Sequence, residues 1–151
     1  MNNNFDSGNG SRPQFEFFDV TADAGYLAYG STLEESFENA GLAMFEVMTR
    51  TSQIQKVEKR EIEVKSEDKV SLLYDYLEEL IFLHDVEFMV FSDFKVNIKK
   101  EGEDYILHGL FRGEKFNPEI HERRDEVKAV TFHMMEVIEE NGYRVRVILD
   151  L

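Results

Sequence analysis

The chain has 151 residues, of which 42% are hydrophobic, and this predicts a single folded domain with a buried core rather than disorder. Its formal net charge of -14 argues against strong binding of a nucleic acid backbone, because such binding requires Lys and Arg to neutralise phosphates. No apolar run is long enough to span a membrane, and the absence of cysteine excludes disulfides and thiolate metal sites.

These features predict a protein of the reducing cytoplasm that does not contact a membrane, and the first residues carry no secretory signal. The acidic surface suits a basic protein partner, a cation or solubility alone. On charge alone, solubility is the simplest of these three explanations.

Residues 1–14 are rich in Asn, Gly and Ser, and we expect them to form a flexible leader to a domain over residues 15–151. Residues 15–20 read as a strand. The small residues of 21–25 interrupt it, and residues 26–29 read as a second, short strand.

Two helices follow. Thr32 and Glu35 have the spacing of a capping box, and the first helix is predicted to end near Thr49. After a polar loop and a strand over residues 61–65, Ser66 or Asp68 caps the second helix. The predicted buried positions recur at helical spacing: Leu33, Phe37, Ala40, Met44, Val47 and Met48 in the first helix, then Val70, Leu73, Leu77, Leu80 and Ile81. Glu78 and Glu79 lie off this stripe and are most simply a solvated face.

From residue 88 onward apolar residues recur at every second position, which predicts strands. A turn at residues 101–103 joins two of them, a polar loop covers residues 113–125, and Asn141 and Gly142 predict a hairpin between the strands 127–138 and 143–151. The fold class is therefore α+β: a single domain, mainly antiparallel sheet, with two principal helices packed on it.

The end of the chain is a candidate site. A two-residue loop at Asn141 and Gly142 would place His133 opposite Asp150 and Phe132 opposite Leu151. The patch would then hold His133, the Asp150 carboxylate and the terminal carboxylate of Leu151. Two simpler interpretations remain: a solvated terminus, and a His–Asp hydrogen bond that only ties the strand ends together.

Other common sites are not indicated. The sequence contains no glycine-rich nucleotide-binding motif, no HExxH motif and no EF-hand loop. The remaining histidines, His84, His108 and His121, are scattered over different predicted elements. His84 and His121 are interpreted as structural or solvent-facing.

Four stretches together resemble the archease family: residues 19–25, residues 31–37 with 43–45, residues 72–81, and residues 127–133 with 148–151. The resemblance covers residues 15–151 in the right order and spacing. One position departs from the family, which usually has His before Thr-Ala-Asp, whereas this chain has Val20.

The resemblance implies an accessory protein rather than an enzyme. Archeases assist the GTP-dependent RNA ligase that joins tRNA exon halves, by promoting guanylylation of the ligase and its multiple turnover. The family binds a divalent cation through residues that correspond here to Asp23, Asp150 and Leu151. These oxygen ligands suit a hard cation, most simply Ca²⁺, with Mg²⁺ or Mn²⁺ as alternatives.

Further roles follow from this resemblance. The small residues Ala22, Ala24 and Gly25 would let the backbone approach the ion, and His133 would orient a carboxylate or face the partner. Two other functions remain open. One is a metal-dependent hydrolase that uses Asp23, Asp150 and His133. The other is a general chaperone-like helper of RNA-processing enzymes.

Overall fold

Seven strands and two α-helices account for most of residues 12–151, the part of the chain that the computed structural model describes. The elements are β1 (Phe15–Phe18), β2 (Asp23–Gly30), α1 (Leu33–Met48), a short 3-10 helix (Thr51–Gln53), β3 (Glu58–Ser66), α2 (Lys69–Glu87), β4 (Met89–Glu101), β5 (Asp104–Lys115), β6 (Ala129–Glu139) and β7 (Tyr143–Asp150). The predicted α+β class is confirmed. Most of the predicted leader, residues 1–11, lies outside the described residues.

The strands form two antiparallel sheets, one in the order β1-β2-β7-β6 and one in the order β3-β5-β4. In the described residues no strand of one sheet packs on a strand of the other, whereas α1 packs on β2 and β4, and α2 packs on β6 and β3. The helices therefore lie between the sheets. One continuous core fills this space, and its largest fully buried side chains include Tyr26, Tyr76, Phe37, Phe45, Phe91 and Phe111.

Both helices begin at side-chain caps that the sequence predicts. The Thr32 Oγ1 atom accepts a hydrogen bond from the Glu35 backbone N–H at 3.1 Å. The return bond of the capping box differs, because the Glu35 carboxylate accepts from the N–H of Ser31 rather than of Thr32. In α2 the cap is Asp68, which accepts from Ser71 N–H at 2.8 Å.

The second strand is longer than predicted. Residues 21–25 read as an interruption, yet β2 already begins at Asp23, and its small residues Ala24 and Gly25 pair with Leu149 and Ile148 of β7. Only the turn before Asp23 breaks the chain direction. The prediction was wrong because small residues are tolerated in a strand whose neighbours cover it on both sides.

Within residues 12–151, neither α1 nor α2 has both the length and the apolar character that a membrane-spanning helix requires.

Candidate functional site

Two carboxylates face each other across the first sheet. Asp23 is the first residue of β2, Asp150 is the last residue of β7, and the two are direct partners in the antiparallel register. Directly opposed side chains have their Cβ atoms roughly 5 Å apart. Two negative charges placed on neighbouring strands in this way repel each other, so a cation between them would be favourable.

Alternation along the strands turns both carboxylates away from the core. Tyr26 and Ala28 of β2 are fully buried against the helices, and so are Val147 and Leu149 of β7, in the positions of opposite parity. Asp23 is half-buried and Asp150 is exposed. The pair therefore lies on the outer face of the first sheet, open to solvent at one end.

The backbone of Asp150 is held from both sides. Its Cα partner on β2 is Asp23 and its Cα partner on β6 is Ala129, and its carbonyl accepts a hydrogen bond from Lys128 N–H at 2.8 Å. The side chain of the next residue, Leu151, is half-buried and packs against the core. These contacts fix the strand end, although the Asp150 carboxylate itself reaches solvent.

A tight turn sets the position of Asp23. The Asp23 N–H donates to the Val20 carbonyl at 3.4 Å, and between them Ala22 has a φ of 64°, in the left-handed region. This conformation costs roughly 1–2 kcal/mol for a residue with a Cβ atom. The chain accepts this strain at the residue directly before the first carboxylate.

Gly25 is required by the packing around it. A Cβ atom at Gly25 would clash with the ring of Phe18 and would lie 2.7 Å from Cγ2 of Val20. These two side chains occupy the space that the glycine leaves, so its small size serves their packing. Val20, the position noted above as departing from the resemblance, thus has an apolar packing role.

The predicted position of His133 is wrong. The β6–β7 connection leaves Glu140, Asn141 and Gly142 unpaired between Glu139 and Tyr143, and the register shifts again between Thr131 and Glu136. As a result Ala129, rather than His133, lies opposite Asp150, and the exposed His133 falls within the bulge.

Phe132 is displaced by the same bulge. Its ring stacks on Tyr74 of α2, with the ring centroids 3.9 Å apart and an interplanar angle of 9°, instead of facing Leu151. Met134 follows with a φ of 55°. A signal for this existed in the sequence, because the apolar positions change parity between Met134 and Met135.

The set of side chains that could act as metal ligands is small. Among residues 12–151 no three His, Asp or Glu side chains converge in a way that could hold a metal ion. Within that part of the chain, the carboxylates of Asp23 and Asp150 take part in no ion pair or side-chain hydrogen bond. Among the described residues the side chains thus offer two carboxylates without a partner, and other oxygen ligands for a cation could come from the backbone, from water or from the carboxylate of Leu151.

His121 is buried and structural, the first of the two roles that the sequence suggested for it. The His121 Nε2–H group donates to Glu114 at 2.7 Å, and Nδ1 accepts from the Asn117 N–H at 2.9 Å. Burial raises the pKa of Glu114, but hydrogen bonds from Gln55 N–H and His121 outweigh it, and the net pKa is lowered. Both ring nitrogens are used, so this group ties a loop to β5.

Comparison with known proteins gives a consistent result. The sequence model of the archease protein family matches residues 15–151. A protein archease of Methanothermobacter thermautotrophicus is 62% identical over 138 residues, 91% of this chain and 98% of that protein. A protein archease of Pyrococcus furiosus is 51% identical over 124 residues, 82% of this chain and 87% of that protein.

A solved structure agrees with the fold as well. The solution structure of protein 1598 from Methanobacterium thermoautotrophicum superposes with a TM-score of 0.82 at 62% sequence identity, and the match covers 91% of this chain and 99% of that chain.

Proposed function

Since this chain belongs to the archease family, we propose that it is a non-catalytic activator of the GTP-dependent RNA ligase that joins tRNA exon halves. In this proposal the protein promotes guanylylation of the ligase and allows multiple turnover. The acidic character of the chain, with a net charge of -14, is compatible with an RNA-binding partner whose surface is basic.

The observation that best supports a cation site is the direct pairing of Asp23 with Asp150. We propose that Asp23, Asp150 and the terminal carboxylate of Leu151 hold one divalent cation, most simply Ca²⁺, with Mg²⁺ or Mn²⁺ as alternatives. Carboxylate oxygens are the ligands these hard cations prefer, and a cation cancels the repulsion within the pair. Bound there, it supplies a positive charge on the outer face of the first sheet.

The hydrolase alternative is weakened by the register of β6. It required His133 beside Asp23 and Asp150, and the strand pairing puts Ala129 opposite Asp150 instead. The chaperone-like alternative differs from the main proposal in its range of clients. It predicts equal help to unrelated RNA-processing enzymes, whereas an activator acts on the ligase.

Activation is tested by adding the protein, in less than equal amount, to purified cognate ligase with RNA ends, GTP and a divalent cation. We expect more ligated product than ligase molecules, together with a higher fraction of guanylylated ligase. Asp150→Ala should reduce both activation and Ca²⁺ binding, because it removes half of the carboxylate pair.

The matched control is Glu103→Ala, which removes an exposed carboxylate in the turn between β4 and β5, on the second sheet. It should activate like the unmodified protein. Unchanged ligation and guanylylation after adding the unmodified protein to several cognate ligases would refute the proposed function. Full activation by Asp150→Ala would instead separate the carboxylate pair from that function.

A further inference from the structure

The outward face of α2 is apolar where a solvated helix is normally polar. Leu72, Leu73, Leu77 and Leu80 already fill the buried face of this helix. On the outside, however, Phe82 is 54% exposed and Val86 is 55% exposed, one helical turn further along. Together with Phe88, which is 63% exposed at the end of the helix, they form what we call the α2 strip.

Phe88 is also conformationally strained. It ends α2 with a φ of 62° and a ψ of 23°, in the left-handed region where glycine is the usual residue. Its N–H donates to the His84 carbonyl, so the conformation closes the helix, but a glycine would close it without the Cβ penalty. Burial does not offset the strain, because most of the ring is exposed. A strained and exposed aromatic residue points to a contact outside the chain.

The α2 strip is flanked mainly by acidic side chains, although Lys115, at its C-terminal end, donates to the Glu87 carbonyl at 2.9 Å. Glu78, Glu79 and Asp85 are all exposed on the same outward face of the helix. Within residues 12–151 none of the three forms an ion pair, whereas Glu87 is already bound to Arg60 at 2.6 Å. The surface therefore has an apolar centre and an acidic rim, the arrangement of a protein-binding patch.

The charge of the rim selects the occupant. A second copy of this chain would bring two acidic rims together, which is unfavourable. Residues 1–11 contain no Lys or Arg and so cannot neutralise the rim. RNA and anionic membranes are negatively charged, so the acidic rim repels them as well. The complementary occupant is a protein with an apolar pocket edged by Lys or Arg.

We propose that the α2 strip docks the protein partner; this rests on the proposed function, in which the partner is the tRNA-splicing ligase. The strip lies on α2, whereas the Asp23–Asp150 pair lies on the outer face of the β1-β2-β7-β6 sheet. In this proposal, docking and activation therefore use different surfaces of the protein. Changes to the strip alter the concentration needed for activation, and changes to the carboxylate pair alter the maximum reached.

The experiment titrates the protein into cognate ligase and measures guanylylation at each concentration. In the variant Phe82→Ser with Val86→Ser, we expect the half-maximal concentration to rise about tenfold or more with an unchanged maximum, because buried aromatic anchors dominate protein interfaces. Val57→Ser is the matched control, since Val57 is 67% exposed but lies just before β3, outside α2 and its exposed strip. It should leave the titration unchanged.

A charge-reversal pair tests the rim. Glu78→Lys with Glu79→Lys should also raise the half-maximal concentration, whereas the same reversal at Glu61 and Glu63, on the outer face of β3, should have a much smaller effect. Phe88→Gly should weaken docking while the melting temperature stays equal or rises. A merely structural role for Phe88 would instead lower the melting temperature.

The outcomes are distinguishable. If the unmodified protein activates the ligase and the Phe82 and Val86 variant has the same half-maximal concentration, the docking proposal is overturned and the proposed function stands. If the unmodified protein does not activate at all, both are overturned. If light scattering shows that the unmodified protein is a dimer and that the Phe82 and Val86 variant is a monomer, the strip is a self-association surface. The docking proposal is then overturned.

Discussion

Ala22 shows how much one residue contributes to the site. Its left-handed φ of 64° stands directly before Asp23, so the strain and the first carboxylate belong to the same turn. Ala22→Gly should stabilise the protein by roughly 0.5–1 kcal/mol, since glycine adopts this conformation without a Cβ penalty. The measurement is urea unfolding, in which the midpoint should rise.

The control for this substitution is Ala24→Gly, two residues further into β2. Ala24 pairs with Leu149 in extended conformation, so glycine there should destabilise by about 0.5–1 kcal/mol. Equal effects of the two substitutions would mean that the turn carries no strain.

The proposed ligand role of Leu151 can be separated from that of Asp150. Appending a short Gly-Ser segment after Leu151 moves the terminal carboxylate away while leaving Asp23 and Asp150 paired. We expect weaker Ca²⁺ binding and a smaller rise in melting temperature on adding Ca²⁺, because a ligand stabilises the folded state in proportion to its affinity. The same segment placed before Met1 serves as control. Equal stabilisation by Ca²⁺ in both proteins would exclude the terminal carboxylate as a ligand.

At the scale of elements, the loop between β5 and β6 is anchored by two carboxylates. Burial raises the pKa of Glu46, but hydrogen bonds from Thr51 and Arg124 outweigh it, and the net pKa is lowered, as it is for Glu114. A lowered pKa means that the ionised form is favoured by folding. The associated stability is therefore present above the unfolded pKa, for which the reference value is 4.5, and is lost as the pH falls through the folded value.

We therefore expect the free energy of unfolding to decrease as the pH falls below about 4.5. The double variant Glu46→Gln with Glu114→Gln should flatten this decrease, by less than about 2 kcal/mol because both groups are partly solvated. Urea unfolding at a series of pH values measures it. An unchanged pH dependence would show that these anchors do not contribute.

The same scale explains what the sequence could and could not predict. The caps at Thr32 and Asp68 and the two helical stripes depend on neighbouring residues, so local spacing was sufficient. The pairing of β6 with β7 depends on a distant contact, because Phe132 leaves the regular strand to stack on Tyr74 of α2. A register counted outward from Asn141 could not include that contact, and the position of His133 was wrong for this reason.

At the scale of the whole molecule, the division of the strands into two sheets was not predictable from periodicity. It depends on β7 lying between β2 and β6, a pairing between strands far apart in the chain. The resemblance to archeases associated Asp23 with Asp150, whereas hydrophobic patterns alone did not. The structure gives that association a simple geometry, since the two residues are cross-strand partners.

The central place of β7 also bears on how the protein is made. A chain that has emerged from synthesis only as far as Gly142 has β2 and β6 but lacks the strand that joins them. Both would then present unpaired backbone edges, which readily pair with other chains. The Asp23–Asp150 pair is absent from every such intermediate. A divalent cation that requires both carboxylates would thus bind only to chains whose synthesis has passed residue 150. It would not bind to shorter, nascent chains.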